Sequence, residues 1–319
     1  MKKKIGLDIG STTIKCVVLD ENDKIIYSSY KRHMSHILEK SIELLTYIKD
    51  EICKDDEVIL SISGSAGMGL AENAGFCFGV KLAVDSAIKT QNEYNKKIYT
   101  LGPLIHNSDV VNYLEENNIY AIDINNVDTL NKDDVILIRS HGVSKDVFEY
   151  LTNKGLIVIN ATCPFVTNIQ KKVNKFSNEG YKIVILGDEN HPEVIGINGW
   201  CGNSATITTD GNFKEPLTGK VCVVAQTTEK EENWDKTIQN LSLNTYEDLK
   251  SFNTICAATE ERQKSVFDLS KKVDFMIVVG GKHSSNTTKL YQIAKKNCKN
   301  TIHIENAKEL SKDIFAGID

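Results

Sequence analysis

Three cysteines share one local setting, and a chain that repeats such a setting is constrained to bring related lobes around one point. Cys77 lies in Ala74-Gly75-Phe76-Cys77-Phe78-Gly79-Val80, Cys163 in Asn160-Ala161-Thr162-Cys163-Pro164, and Cys256 in Asn253-Thr254-Ile255-Cys256-Ala257. The last two follow a short strand-like run and precede a helical pattern, and Cys77 also precedes a helix. The separations are similar, 86 residues from position 77 to 163 and 93 from 163 to 256, as three lobes each aiming one thiol at a common centre would give. A helix N-terminus lowers a thiol's pKa and favours the metal-binding thiolate. Full ligation of a cubane takes four cysteines, so three leave one iron open to a substrate. The pattern therefore predicts one catalytic [4Fe-4S] cluster held by Cys77, Cys163 and Cys256.

The other five of the eight cysteines read differently. No two cysteines fall within four residues of each other, so the usual zinc spacings are absent. Cys16 and Cys222 alternate within apolar strand patterns, where a free cysteine is a small buried hydrophobe. Cys53, Cys201 and Cys298 take the same structural reading.

Net charge of −5, from 38 basic and 43 acidic residues, gives no support for nucleic-acid binding. Lys2-Lys3-Lys4 could mimic the start of a signal peptide, but Asp8 and two glycines follow where an apolar core is needed. No apolar run approaches a membrane span. The expected location is cytoplasmic, which also argues against a disulfide framework.

Two textures divide the chain. Lys4 to Ile9, Thr13 to Leu19 and Lys24 to Tyr30 are β-rich, with the turn Asp20-Glu21-Asn22-Asp23 making a hairpin of the last two. Leu38, Ile42, Leu45, Ile48 and Ile52 recur at helical spacing, and the strand Val58 to Ile62 follows. This gives a small β-β-β-α-β piece. From about residue 98 short strands alternate with helices, implying parallel α/β layering. Val135 to Ile138, Leu156 to Ile159, Lys182 to Leu186 and Phe275 to Val279 are examples.

The first piece resembles the actin/hexokinase/Hsp70 ATPase superfamily. Gly6-Leu7-Asp8-Ile9-Gly10-Ser11-Thr12-Thr13 is similar to its first phosphate loop, in which Asp8 would hold a magnesium-bound water. Gly64-Ser65-Ala66-Gly67-Met68-Gly69-Leu70-Ala71-Glu72 narrows the likeness to the activator ATPases of 2-hydroxyacyl-CoA dehydratases. One phosphate loop cannot enclose a nucleotide, so residues 1–69 are expected to be a partial actin-like fragment without ATPase activity.

Residues 70–319 resemble the 4-hydroxy-3-methylbut-2-enyl diphosphate reductases, the IspH/LytB family. The likeness runs from Leu70-Ala71-Glu72-Asn73-Ala74-Gly75-Phe76-Cys77 through Gly102-Pro103-Leu104-Ile105-His106-Asn107, Arg139-Ser140-His141-Gly142 and Ala161-Thr162-Cys163-Pro164. It continues through His191-Pro192-Glu193-Val194, Gln226-Thr227-Thr228, Cys256 to Gln263, and Lys282-His283-Ser284-Ser285-Asn286. Leu70-Ala71-Glu72 fits both families, so the junction falls there. The resemblance implies a three-lobed, pseudo-threefold α/β body around a central cluster.

Taken singly, His106, His141 and His191 read as loop histidines, Ser284 to Asn286 as an N-cap, and Glu193 as a surface glutamate. Three histidines in cysteine-bearing lobes point instead to a polyanion pocket, since imidazolium groups and hydroxyls suit a diphosphate. Gly280-Gly281 would let an anion approach closely. By resemblance His106, His141, His191, Ser284, Ser285 and Asn286 bind the substrate, Glu193 donates a proton, and Thr227 links Glu193 to the substrate.

The implied reaction is a two-electron reductive dehydroxylation giving isopentenyl and dimethylallyl diphosphate. No dinucleotide fingerprint is present, so an external one-electron donor, ferredoxin or flavodoxin, is the expected partner. Family members continue past the position of Asp319 into a strand, a Gly-Ala-Ser-Thr-Pro loop and a closing helix. On that likeness the pocket lacks one wall and activity is impaired. The competing readings are an ATP-dependent dehydratase activator carried by residues 1–72, and an inactive chimera.

Overall fold

The computed structural model describes residues 2–9, 13–32, 37–54, 56–63, 75–213, 215–243 and 246–311, with backbone alone at 37–39, 62–63 and 307. Gly10 to Thr12, the run from Gly64 to Ala74 and the last residues from 312 on lie outside that set. The chain divides into two compact units, Met1–Leu70 and Ala71–Asp319.

In the first unit β1 (Lys2–Ile9), β2 (Thr13–Leu19), β3 (Ile25–Arg32), α1 (Ile37–Tyr47) and β4 (Glu57–Ser63) follow one another. The sheet order is β3-β2-β1-β4, with β4 parallel to β1 and the other pairs antiparallel. Period-two alternation buries Ile5, Leu7 and Ile9 from β1 and Ile14, Cys16 and Val18 from β2. Most of the expected helix face is kept, with Leu45 and Ile52 packed against the core. Leu44 and Ile48 enter the core while Ile42 is 42% exposed. The α-helix stops at Tyr47, and Ile48–Cys53 is wound more widely as a π-type turn that buries Ile48 and Cys53. Asp8 is paired across the strands with Lys15, whose Nζ lies 3.0 Å from its carboxylate.

The second unit opens with α2 (Phe78–Tyr94), β5 (Ile98–Leu101), α3 (Ser108–Glu116), β6 (Ile119–Ile122), β7 (Val135–Ile138), α4 (Lys145–Asn153) and β8 (Ile157–Asn160). It continues with α5 (Pro164–Asn178), β9 (Lys182–Leu186), α6 (Pro192–Asn198), β10 (Thr206–Thr208), β11 (Lys220–Ala225), α7 (Glu231–Ser242) and β12 (Asp248–Ser251). Last come α8 (Ala257–Ser270), β13 (Phe275–Val279), α9 (Ser285–Asn297) and β14 (Asn300–Ile304).

These strands form three wholly parallel sheets, ordered β6-β5-β7-β8, β10-β9-β11-β12 and β13-β14. Strands covered on both faces must be apolar throughout. Val135, Ile136, Leu137 and Ile138 are all fully buried, as are Val184, Ile185 and Leu186.

Each sheet is the centre of one lobe, and the chain changes lobes at a cysteine. Cys163 follows β8, the edge of the first sheet, and opens α5, which packs Ile169 and Val173 into the second lobe's core. Cys256 follows β12, the edge of the second sheet, and opens α8, which sends Val266 into the third. Cys77 opens α2, whose Ala83 and Ala87 belong to the first. A helix start in each lobe thus carries one thiol. Among the described residues no helix is long and apolar enough to cross a membrane.

Candidate active site

Cys77, Cys163 and Cys256 are the N-caps of α2, α5 and α8, and none uses its side chain as a cap. Cysteine is a poor substitute for the Ser, Thr, Asp or Asn usual at that position. Its sulfur is therefore left free beside the positive end of a helix. Burial pushes the Cys163 thiol up, the backbone N–H groups of Phe165 and Val166 draw it down, and negative charge on Cys77 and Cys256 would raise it again. Cys163 Sγ therefore lies within electrostatic reach of both other sulfurs.

Gly79, in the first turn of α2, shows how tightly two of the three helix starts meet. A Cβ there would stand 2.5 Å from Cys163 Sγ. Arg262 of α8 donates to Gly75 O at 3.0 Å and to Ala258 O at 3.3 Å, tying the Cys256 helix to the segment that leads into Cys77. Among the described residues no three Cys, His, Asp or Glu side chains close on a single ion. Three spaced thiols at helix N-termini suit a polynuclear iron–sulfur group better than one ion.

Two backbone bonds join the cysteines to a polar wall. The Cys163 N–H donates to Ser140 O at 3.0 Å, next to His141, and the Cys256 N–H donates to Thr227 O at 2.9 Å. On that wall the rings of His106, His141 and His191 form a row, with centroids 5.3 and 5.4 Å apart. The Glu193 N–H donates to His191 Nδ1 at 3.2 Å. That bond fixes the acceptor nitrogen, so the neutral ring carries its proton on Nε2.

The charge state differs from the sequence expectation. Burial lowers the pKa of all three histidines, bringing His191 to about 4 and His141 well below its ordinary value. Arg139 and the neighbouring rings lower them further. In the ligand-free site the rings are neutral at pH 7 rather than imidazolium groups. A polyanion placed among them would reverse that by favouring the protonated forms.

Arg139 is a residue that sequence reasoning passed over. Its Nε is buried with no partner among the described residues, and Gly102, at φ +70°, leaves the room that its guanidinium occupies. A Cβ at Gly102 would stand 2.7 Å from Nη1. The available signal was its place beside Ser140-His141.

Glu193 sits in the first turn of α6 and is 2% exposed. Thr227 N donates to Oε1 at 2.6 Å and Thr227 Oγ1 to Oε2 at 2.7 Å. Burial raises the carboxyl's pKa, while the two Thr227 bonds and the charge of Lys289 partly offset it.

The start of α9 completes the wall. Ser284 caps the helix, accepting from Thr287 N at 3.3 Å. Ser285 Oγ lies 2.9 Å from Thr228 Oγ1, and Asn286 Oδ1 is buried without a partner among the described residues. The paired glycines before the helix serve close approach, but of protein rather than of an anion. A Cβ at Gly281 would fall 1.9 Å from His106 O, and one at Gly280 would meet Thr287. Lys289, one turn into α9, forms a 2.9 Å ion pair with the buried Glu229, also unforeseen from sequence.

Parallel sheets with a thiol at one helix start per lobe, beside neutral histidines, a buried carboxyl and clustered hydroxyls, make an α/β enzyme body whose thiols suit a metal cluster and whose polar wall suits a small anion. The family model described as LytB protein matches residues 68–319, and the chain belongs to that family. The 4-hydroxy-3-methylbut-2-enyl diphosphate reductase of Clostridium perfringens is 62% identical over 246 residues, covering 77% of this chain and 87% of the relative. The reductase of the same name from Clostridium acetobutylicum is also 62% identical, over 77% of this chain but only 38% of its own length. Among solved structures, an (E)-4-hydroxy-3-methyl-but-2-enyl diphosphate reductase, the terminal enzyme of the non-mevalonate pathway, is 41% identical with a TM-score of 0.57. The match covers 78% of this chain and 89% of that one. The Plasmodium falciparum reductase is 27% identical with a TM-score of 0.70, over 77% and 78% of the two chains.

Proposed function

We propose that this chain reduces 4-hydroxy-3-methylbut-2-enyl diphosphate to isopentenyl and dimethylallyl diphosphate, the terminal step of the non-mevalonate pathway. The observation that carries the reading is a continuous bonded path. Cys256 donates its N–H to Thr227, and Thr227 holds both oxygens of buried Glu193. A would-be cluster ligand and a would-be proton donor are thus fixed to one residue.

In this reading Cys77, Cys163 and Cys256 hold a [4Fe-4S] cluster. When bound, it supplies electrons one at a time and a Lewis-acidic iron with an open position. The chain's own residues do the rest. His106, His141, His191, Ser284, Ser285 and Asn286 bind the diphosphate and the substrate hydroxyl. Arg139 adds a fixed positive charge behind the histidine row.

Burial raises the Glu193 pKa and so favours the protonated carboxyl that a proton donor needs, and Thr227 aims it. Two electrons and two protons are consumed. One proton leaves with the hydroxyl as water, and the other enters the allylic carbon frame at either end. The electrons come from an external one-electron carrier such as ferredoxin or flavodoxin.

Anaerobic reconstitution, with iron and sulfide counts followed by turnover of the substrate with a one-electron reductant, tests the reading. About four irons per chain and formation of both products are expected. A loaded chain that produces neither would overturn it.

The first unit is inferred to be a partial actin-like ATPase fold that binds no nucleotide. Its Asp8 is engaged by Lys15. Calorimetric titration with ATP and magnesium tests this, and micromolar affinity would restore the activator reading.

A further inference from the structure

Gln226 is a buried polar group that the mechanism leaves unused. It is fully buried, directly before Thr227. Its backbone N–H is tied to Leu186 O at 2.7 Å, and its side-chain Oε1 accepts from Asp188 N at 3.2 Å. Gly187 makes room for it, because a Cβ there would stand 2.9 Å from Gln226 Cβ and Oε1. With Oε1 committed to a backbone donor, the amide cannot flip, and Nε2 must face the other way. It meets two hydroxyls, Thr228 Oγ1 at 3.0 Å and Ser285 Oγ at 3.3 Å, which are 2.9 Å from each other.

A hydrogen count then decides what this triangle can offer a ligand. The amide brings two hydrogens and each hydroxyl one, and the three contacts use all but one of them. When Thr228 donates to Ser285, both lone pairs of Ser285 Oγ are occupied, by Nε2 and by Thr228. Its only remaining capacity is to donate. With Ser285 donating instead, the spare hydrogen sits on Thr228, so in either direction the pair keeps one outward hydrogen, the polarity a phosphate oxygen requires.

We propose that Gln226 and Thr228 are positioning residues that fix the Ser285 hydroxyl as a hydrogen-bond donor to the substrate's diphosphate. The inference rests on the reading that Ser285 contacts the diphosphate. It adds the reason this serine arrives with its hydrogen turned outward, without reorganisation on binding.

Gln226→Glu is the sharpest probe. Its Oε1 still accepts from Asp188, but its second oxygen now accepts from the hydroxyls, and no hydrogen is left for the ligand. The added charge repels an anion as well, so the measurement is a double-mutant cycle with Ser285→Ala, in which that repulsion is common to both backgrounds. Affinity for inorganic diphosphate is read by calorimetry on the full, cluster-loaded chain. Gln226→Glu should weaken binding on the order of 10-fold more when Ser285 is present than in the Ser285→Ala background.

Thr228→Val should show coupling of the same sign, restored by Thr228→Ser, and it stands as the test if circular dichroism shows Gln226→Glu misfolded. Equal losses in both backgrounds, for the folded variants, would overturn the proposal alone. No loss from Ser285→Ala by itself would instead overturn the placement of diphosphate at Ser285, and this inference with it.

Discussion

Glu193 and Thr227 are joined twice, backbone N–H to one carboxyl oxygen at 2.6 Å and hydroxyl to the other at 2.7 Å. A carboxyl so held cannot rotate, and its burial favours the protonated form. Glu193→Gln preserves the arrangement. The Thr227 N–H still finds a carbonyl oxygen, and the Thr227 hydroxyl turns to accept from the new amide. Only the transferable proton is lost. Turnover should fall about 10²–10⁴-fold, with iron content unchanged. Full turnover in the Glu193→Gln protein would remove Glu193 from the mechanism.

The pH dependence of folding gives a second measure of the same residue. The folded carboxyl has a raised pKa, so between its ordinary value and that raised value the folded state binds more protons than the unfolded state. Stability is then highest below the unfolded pKa and declines as pH rises through the folded one. In urea titrations from pH 4 upward, Glu193→Gln should remove part of that decline. Parallel profiles for the two proteins would show that the buried carboxyl carries no such penalty.

Gly79→Ala tests whether the three thiols share one centre. The new methyl would come within 2.5 Å of Cys163 Sγ, and rotation of the thiol away is the cheapest relief. Alanine is the better helix former, so the helix itself does not suffer. The cluster-free protein should fold with unchanged circular dichroism yet lose most of its iron on anaerobic reconstitution. Normal iron loading would mean that Cys163 does not hold the cluster in the orientation seen here.

Much of this arrangement was legible because it is written locally. The uninterrupted runs of β7 and β9 could be bounded to the residue, since strands covered on both faces carry no alternation to blur their ends. Cys163 and Cys256 stood out because each falls where a strand-like run gives way to a helix, and Cys77 because it too precedes a helix. What escaped was made by contacts between distant residues. Arg139 matters because Gly102 leaves it space, and Lys289 because Glu229 lies buried opposite it. The histidines' charge could not be read from a pattern, because it follows from how deeply three separate loops bury them.

The Glu229–Lys289 pair ties the loop after β11 to α9, and its side chains are only 4% and 16% exposed. Breaking one side of such a pair leaves a buried charge alone, which costs about 3–5 kcal/mol, whereas removing both sides is far milder. Glu229→Gln and Lys289→Met should each lower the thermal midpoint, and the double variant should recover most of the loss. Midpoint changes that simply add would show that the two charges do not depend on each other.

The histidine row makes binding and folding respond to acid in opposite directions. Because the folded pKa values of His106, His141 and His191 are depressed, their contribution to stability is complete above about pH 6.5, the unfolded value. It is lost as pH falls, toward about 4 for His191. The cluster-free chain should therefore weaken across that window in chemical denaturation, and His191→Asn should weaken less. Asparagine keeps an acceptor for the Glu193 N–H at the head of α6 but has nothing to titrate. A diphosphate among the rings should pull their pKa values back up, so binding takes protons from solution and tightens as pH drops from 7.5 to 6. Titration of the loaded chain with inorganic diphosphate, in two buffers of different ionisation enthalpy, measures that uptake. A net uptake near zero would mean that the rings stay neutral and meet the anion only as N–H donors.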